Sequence, residues 1–360
     1  MNKYKVCVYA ISKDEEVNVK DWYESMKEAD EVYVLDTGSK DKTVELLKEL
    51  GVNVRAEIIN PWRFDIARNK SLDLVPIDTD ICICTDLDER FEPGWRNKLE
   101  RLWNESITRI SYKYNWAFDE FNNPSTTFYL NKIHTRKDYI WTHPVHEVLT
   151  NINNNELQIV TDEIVLNHHQ LKKDSRSDYL PLLELSVKEH PEDDRNVHYL
   201  GREYMYYNMN EKAIKTLHNH LNLKTAIWKD ERCASMRYIA RCYERLGYQE
   251  EADLWYEKAI KEAPYLRESY VDYAFFLYNN KDYKMAIKML DKAFIITDKS
   301  KSYINEVYAW DYQIYDLYSI CAYYLNKKDI AKTYNEIALS LNPNNQRLIN
   351  NKLFFDKSSV

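Results

Sequence analysis

The second half of the chain repeats itself, and small residues mark the repeat. In residues 237–264 (RYIARCYERLGYQEEADLWYEKAIKEAP), Ala240, Ala252 and Ala259 recur beside Tyr243 and Tyr256, Gly247 falls between two helical stretches, and Pro264 closes the unit. Placing Ala213, Ala286 and Ala331 at the Ala252 position brings Gly201, Ala274 and Ser319 to the small position of the first helix, and Pro343 repeats Pro264. The successive spacings are 39, 34 and 45 residues. Small side chains at two fixed places let paired helices approach closely, while larger neighbours fill the seams. One such pair cannot bury its apolar face alone, so units of this kind must stack into an array.

The 34-residue spacing, the alanine at each helix and the closing proline resemble the tetratricopeptide pattern. That resemblance implies an all-α domain over residues 176–360, with units at about 194–224, 230–264, 266–298 and 312–343. Residues 347–355 read as a cap and residues 177–189 as an amphipathic connecting helix. Tyrosine follows the same boundary: 8 of the 30 lie before residue 171 and 22 after it.

Residues 1–175 are written differently. Residues 5–10 (KVCVYA), 31–35 (EVYVL), 52–58 and 80–84 (DICIC) are rich in Val, Ile and Cys and predict strands. Residues 17–28 and 42–50 carry helical spacing between them. Alternation of this sort predicts an α/β domain with a mainly parallel sheet, whose ligands gather at the carboxyl ends of the strands. Only five glycines occur in 360 residues, none spaced as GxGxxG or GxxxxGKS, so a glycine-rich phosphate cradle is excluded. Phosphates bound here need another source of positive charge. The net charge of −8 argues against nonspecific nucleic-acid binding. No apolar run is long enough to cross a membrane. Six scattered cysteines read as reduced thiols, hence a cytoplasmic protein. Cys82 and Cys84, alternating in an apolar strand without a partner pair, read as buried thiols rather than metal ligands.

Chemistry concentrates where these strands end. Asp86-Leu87-Asp88 follows the DICIC strand directly, and alternation in an extended chain puts both carboxylates on one side, an oxygen site for Mg²⁺ or Mn²⁺. Asp36-Thr37-Gly38-Ser39 ends the second strand, before a helix expected to begin near Ser39. Ser12-Lys13-Asp14-Glu15-Glu16 follows the first strand, and Phe64-Asp65-Ile66-Ala67-Arg68-Asn69 opens a further helix. Read in order, these segments resemble the family 2 glycosyltransferases, whose usual text is NEE, DTGSxDxT, FxxARN and DxDE. Asp14 stands where that family commonly has Asn.

The resemblance implies a nucleotide-sugar-binding domain of the GT-A type. Carried over residue by residue, Tyr9 and Ala10 border the base, Asp36 contacts the nucleoside, and Arg68 approaches the base or diphosphate. Asp86, with Leu87 beside it, meets the ribose, and Asp88 binds the metal. Val145-His146-Glu147 matches a segment found late in many family 2 domains, which makes Glu147 the candidate general base and His146 its companion, able to ligate metal, touch diphosphate or orient Glu147. His168 matches a common family histidine and is expected as a further metal ligand, although Gln170 replaces the glycine that often follows two residues later. His143 ranks below these.

The expected activity is inverting, metal-dependent transfer of a hexosyl group from a nucleotide sugar, most simply UDP-linked, to a protein, peptide or glycan acceptor. The layout is similar to that of bacterial peptide S-glycosyltransferases. The repeats also offer a surface for a homodimer. The competing class is a tetratricopeptide scaffold whose first domain has lost its activity.

Overall fold

A computed structural model describes residues 3–119, 121–169, 179–300 and 302–357. The chain divides into two compact units, the first running to Ser186 and the second comprising Val187–Ser300 and Ile304 onward.

The first unit is built on ten strands, β1 (Val6–Ser12), β2 (Glu31–Asp36), β3 (Asn53–Ala56), β4 (Ile81–Thr85), β5 (Glu89–Phe91), β6 (Arg109–Phe118), β7 (Pro124–Thr135), β8 (Tyr139–Thr142), β9 (Val148–Asn151) and β10 (Gln158–His168). Four helices accompany them: α1 (Glu16–Met26), α2 (Thr43–Glu49), α3 (Phe64–Leu72) and α4 (Trp95–Leu102). Eight strands form one sheet in the order β3-β2-β1-β4-β7-β6-β10-β5, and β8 and β9 make a separate hairpin. The sheet is mixed and mostly parallel. The pairs β1–β2, β1–β4, β2–β3 and β6–β10 are parallel; β4–β7, β6–β7 and β5–β10 are antiparallel.

A parallel strand buried on both faces reads as a continuous apolar run, and β1 and β4 do so. Their pleat sorts the side chains between two cores. Val6, Val8, Ala10, Ile81 and Ile83 join Trp22 and Met26 of α1 and Trp95 and Leu99 of α4 on one face. Cys7, Tyr9, Cys82 and Cys84 face Leu72 of α3 and the hairpin residues Tyr139, Trp141 and Leu149 on the other. All six cysteines are unpaired and buried, as the apolar strand pattern predicts for Cys82 and Cys84. The third strand is shorter than the expected 52–58, because its edge position exposes Asn53, Arg55 and Ala56.

Helix α5 (Tyr179–Glu189) crosses from the first unit into the second, which continues through four helix pairs: α6 (Asp194–Tyr206) with α7 (Asn210–Asn222), α8 (Lys229–Leu246) with α9 (Gln249–Glu262), α10 (Arg267–Asn279) with α11 (Tyr283–Ile295), and α12 (Gln313–Tyr324) with α13 (Lys328–Leu341). Helix α14 (Gln346–Lys357) follows. Residues 177–178 of the expected connecting helix lie outside the described residues, as does Gln170.

Each pair turns by the same device. Asn208, Gly247, Lys281 and Asn326 adopt positive φ, and the following N–H reaches back to a carbonyl five residues earlier, as Lys327 does to Ala322 at 2.9 Å and Tyr248 to Tyr243 at 3.0 Å. Each of these residues lies five positions before the alanine that marks its unit, Ala213, Ala252, Ala286 or Ala331, and all four alanines are completely buried. Gly201 shows why the first helix needs a small residue. A Cβ placed there would meet Leu217 Cγ and Cδ2 at 2.5 Å, well inside contact distance. The second unit is a tetratricopeptide-type array. Among the described residues, no helix is long and apolar enough to cross a membrane.

Candidate active site

The site begins with how α3 is held. Phe64 N–H donates to the Pro144 carbonyl at 2.9 Å. One turn on, Asn69 closes a reciprocal pair with Trp141: its Nδ2 donates to the Trp141 carbonyl and its Oδ1 accepts from the Trp141 N–H, both at 2.8 Å. The FxxARN text is therefore a clamp that fixes the helix against the β8–β9 hairpin. Between the two clamps, Arg68 points under the turn that joins the hairpin strands.

Arg68 is 3% exposed and bridges two chain segments. Its Nη2 lies 2.7 Å from Asp86 Oδ1, and its Nε–H donates to Glu147 Oε1 at 2.9 Å. Its guanidinium also sits 5.5 Å from the Trp141 ring centre. Burial alone would discourage the charge, but the flanking carboxylates outweigh it and hold Arg68 firmly protonated. The same balance acts on Asp86. Burial favours the neutral acid, whereas Arg68 and Lys132 together push its pKa well below the ordinary carboxylate range. Lys132 of β7 approaches Asp86 Oδ2 at 3.4 Å and Glu89 Oε1 at 3.7 Å. Glu89 is 2% exposed, and burial raises its pKa against the pull of Lys132. Its Oε2 also accepts the Asp86 N–H at 2.9 Å.

Asp86 and Asp88 do not lie along one extended edge. The chain turns after β4, with Glu89 N–H donating to the Asp86 carbonyl at 3.0 Å, so the two carboxylates take different partners. Asp88 Oδ2 lies 3.3 Å from His168 Nε2, and His169 N–H fastens the same segment through the Asp88 carbonyl at 2.7 Å. His168 Nδ1 is 3.1 Å from the Trp116 carbonyl, and the Trp116 ring stacks on the imidazole at 4.3 Å between centres. Burial works against a charged His168, but Asp88 and the Trp116 carbonyl raise its pKa. With Nδ1–H engaged by a carbonyl, Nε2 is the free-facing nitrogen beside a carboxylate, the orientation that metal-ligating histidines generally take. Asp88 and His168 thus fit a divalent cation. No third His, Cys, Asp or Glu joins them closely among the described residues, which suits Mg²⁺ or Mn²⁺ completing its shell with substrate phosphate and water.

Asp36 is held within the turn that follows β2. It is 2% exposed, its Oδ1 accepts the N–H groups of Gly38 and Ser39 at 3.0 Å, and its Oδ2 accepts the Ser12 hydroxyl at 3.0 Å and that of Ser39. Its carboxylate shapes the turn after β2, and the following helix starts at Thr43 rather than near Ser39. Asp14, with φ 53°, joins the neighbouring loop to this turn: its Oδ1 accepts Lys40 N–H at 2.7 Å. Asp tolerates that backbone region much as Asn does, so the substitution keeps the loop contact.

Other expected site residues have surroundings that the sequence did not show. Tyr9 and Ala10 are completely buried in the middle of the sheet and present no side chain to a base. Tyr9 instead holds the layer beneath the site, its hydroxyl 2.9 Å from both His134 Nε2 and Trp141 Nε1. Leu87 is 2% exposed and belongs to the core. His146 adopts φ 51° in the hairpin turn, with its ring 6.0 Å from that of Tyr179, and His143 adopts φ 75°. The geometry adds Lys132, Glu89 and Trp116. Sequence reasoning missed them because β5, β6 and β7 were not anticipated, and a lone lysine on an unrecognised strand carries no signal.

The sequence model of glycosyl transferase family 2 matches residues 7–152, the stretch that supplies Asp36, Arg68, Asp86, Asp88 and Glu147. These residues form a family 2 glycosyltransferase domain. Solved structures similar to this chain lie on the helical side. One is MamA, at 16% identity and TM-score 0.37, covering 45% of this chain and 85% of that one. Another is PilF of Pseudomonas aeruginosa, at 14% identity and TM-score 0.38, covering 49% and 72%. A third is YrrB, described as a tetratricopeptide protein with an unusual peptide-binding site, at 10% identity and TM-score 0.37, covering 48% and 81%. In the glycosyltransferase domain, then, the FxxARN helix, the DLD turn and the VHE turn meet around one buried guanidinium.

Proposed function

We propose that the protein transfers a sugar from a nucleotide sugar, UDP-linked in the simplest case, to an acceptor nucleophile with inversion at the anomeric carbon. The observation that carries this reading is the bridge from Arg68 to Asp86 and Glu147, which in this reading are the donor-side and acceptor-side carboxylates. In this reading Glu147 takes the proton from the acceptor hydroxyl or thiol as that atom attacks the anomeric carbon. The bond from the anomeric carbon to the diphosphate oxygen breaks in the same step, and the electron pair leaves with the diphosphate. Arg68 holds Glu147 and Asp86 in register, and Lys132 supplies positive charge where no glycine-rich loop exists. A divalent cation at Asp88 and His168, when bound, neutralises the departing diphosphate. Asp36 acts by shaping the turn that borders the nucleoside, and His146 by fixing the hairpin turn that carries Glu147. The tetratricopeptide array is the proposed binding surface for a protein or peptide acceptor.

Incubating the full chain with a panel of UDP-sugars and Mn²⁺ and following UDP release tests the reading. Release in the presence of donor and its loss in Glu147→Gln support it. Neither hydrolysis nor transfer with any donor would return the protein to the scaffold class.

A further inference from the structure

The second unit contains a group of ionisable side chains that the transfer reaction does not use. Helix α6 contributes Asp194 and, one turn later on the same face, His198. Helix α8 contributes Glu231 and, one turn later, Ser235; α7 contributes His220 near its end. These five side chains form two layers. In the outer layer, ligand atoms of Asp194, His220 and Glu231 all lie within 4.8 Å of one another. In the inner layer, Ser235 Oγ lies 2.9 Å from His220 Nδ1 and 2.7 Å from His198 Nδ1.

We propose that His220 Nε2, Glu231 Oε1 and the Asp194 carboxylate bind one transition-metal dication of the Zn²⁺ class, tying α6, α7 and α8 together. His220 is completely buried and its Nε2 makes no hydrogen bond, although it faces Glu231 Oε1 at 3.3 Å. That separation equals the edge of a tetrahedron with bonds of about 2.0–2.1 Å, the length of Zn–N and Zn–O bonds. In the tautomer in which His220 Nδ1–H donates to Ser235 Oγ, the lone pair on Nε2 faces outward, the orienting contact that metal-bound imidazoles generally have. Burial pushes His198 down to about 3, which keeps the inner layer uncharged. A neutral imidazole with two carboxylates carries a formal −2, which a dication cancels. An imidazole in the set favours Zn²⁺ over Mg²⁺ or Ca²⁺. Asp194, in the first turn of α6, has an ordinary reason to be acidic there. Glu231 in the first turn of α8 and His220 in the last turn of α7 also stand at favourable helix ends, but unlike Asp194 both are buried.

The experiment uses the full chain carrying Asp88→Asn, so that metal at the transferase site does not contribute. After dialysis against chelator, ZnCl₂ is titrated calorimetrically, bound metal is counted by elemental analysis, and Co²⁺ is added to read the visible d–d bands of a tetrahedral site. One equivalent of Zn²⁺, no heat with MgCl₂ and tetrahedral Co²⁺ bands are expected. His220→Gln and Asp194→Asn should abolish or strongly weaken binding, and Ser235→Ala should weaken it by about 10–100-fold. Should His220→Gln lose its helical circular dichroism, Asp194→Asn, at the half-buried edge, decides. No zinc uptake, or uptake unchanged in Asp194→Asn, overturns the proposal.

Discussion

Replacing Arg68 by methionine keeps most of the side-chain volume and removes the charge that joins Asp86 to Glu147. Breaking a buried ion pair from one side costs about 3–5 kcal/mol, because the remaining charge stays buried without its partner. The two carboxylates differ in how much they suffer. The Glu147 side chain is 13% exposed and loses a direct Nε–H bond, whereas Asp86 is 34% exposed and keeps Lys132 at 3.4 Å. The expected loss therefore falls near the lower end, about 3 kcal/mol, and most of it is assigned to Glu147. Glu147→Gln in the Arg68→Met background should recover at least about 1 kcal/mol relative to the sum of the single changes, as for residues in direct contact. Hydrogen exchange of peptides covering β1 and β4 reads the opening free energy of this unit separately from the repeats. If the two changes add to within about 0.5 kcal/mol, the coupling is absent and Arg68 does not hold Glu147.

Other expectations follow from single contacts. Glu147→Gln should retain donor binding and slow transfer by about 10²–10⁴-fold, measured as kcat with saturating donor. Asp88→Ala should remove the Mn²⁺ dependence of UDP affinity while leaving the helical circular dichroism of the repeats intact. Gly201→Ala should destabilise the array by about 1–3 kcal/mol, since overpacking against Leu217 exceeds the helix-propensity gain; equal or greater resistance to urea would refute the close-approach argument. In the repeats, Arg241 and Arg237 outweigh the effect of burial and lower the pKa of Asp272. Its stabilising contribution is present above the unfolded value of about 3.9 and is lost as pH falls through the lower folded value. Wild type should therefore exceed Asp272→Asn in urea midpoint at pH 7, and the gap should close below about pH 4.

The sequence disclosed the parts of the fold that rest on local rules. The apolar runs of β1, β2 and β4 and the alanine register of the helix pairs are legible because parallel strands and close helix contacts each demand particular residues at every position. The site was legible where a motif and its scaffold coincide. Arg68, Asp86 and Glu147 meet through one guanidinium, and Asp88 pairs instead with His168. The antiparallel strands β6 and β7 were not seen, because half-buried and exposed positions run along both and their outer partners, β10 and β4, lie far from them in sequence. Lys132 and Trp116 went with them. Tyr9 and Asp36 were visible as residues, but their hydrogen-bond partners were not: burial is a property of the assembled layers.

The turns at Asn208, Lys281 and Asn326 carry a consequence for the denatured chain. A non-glycine residue in that backbone region costs the native state about 1–2 kcal/mol, yet it narrows the disordered ensemble from which folding starts. With five glycines in the whole sequence, the polypeptide surrenders less freedom on folding than its length implies. Changing Lys281 to glycine would relax a joint and loosen the unfolded coil together, so the two effects offset and a sizeable release of strain would leave little trace in the melting temperature.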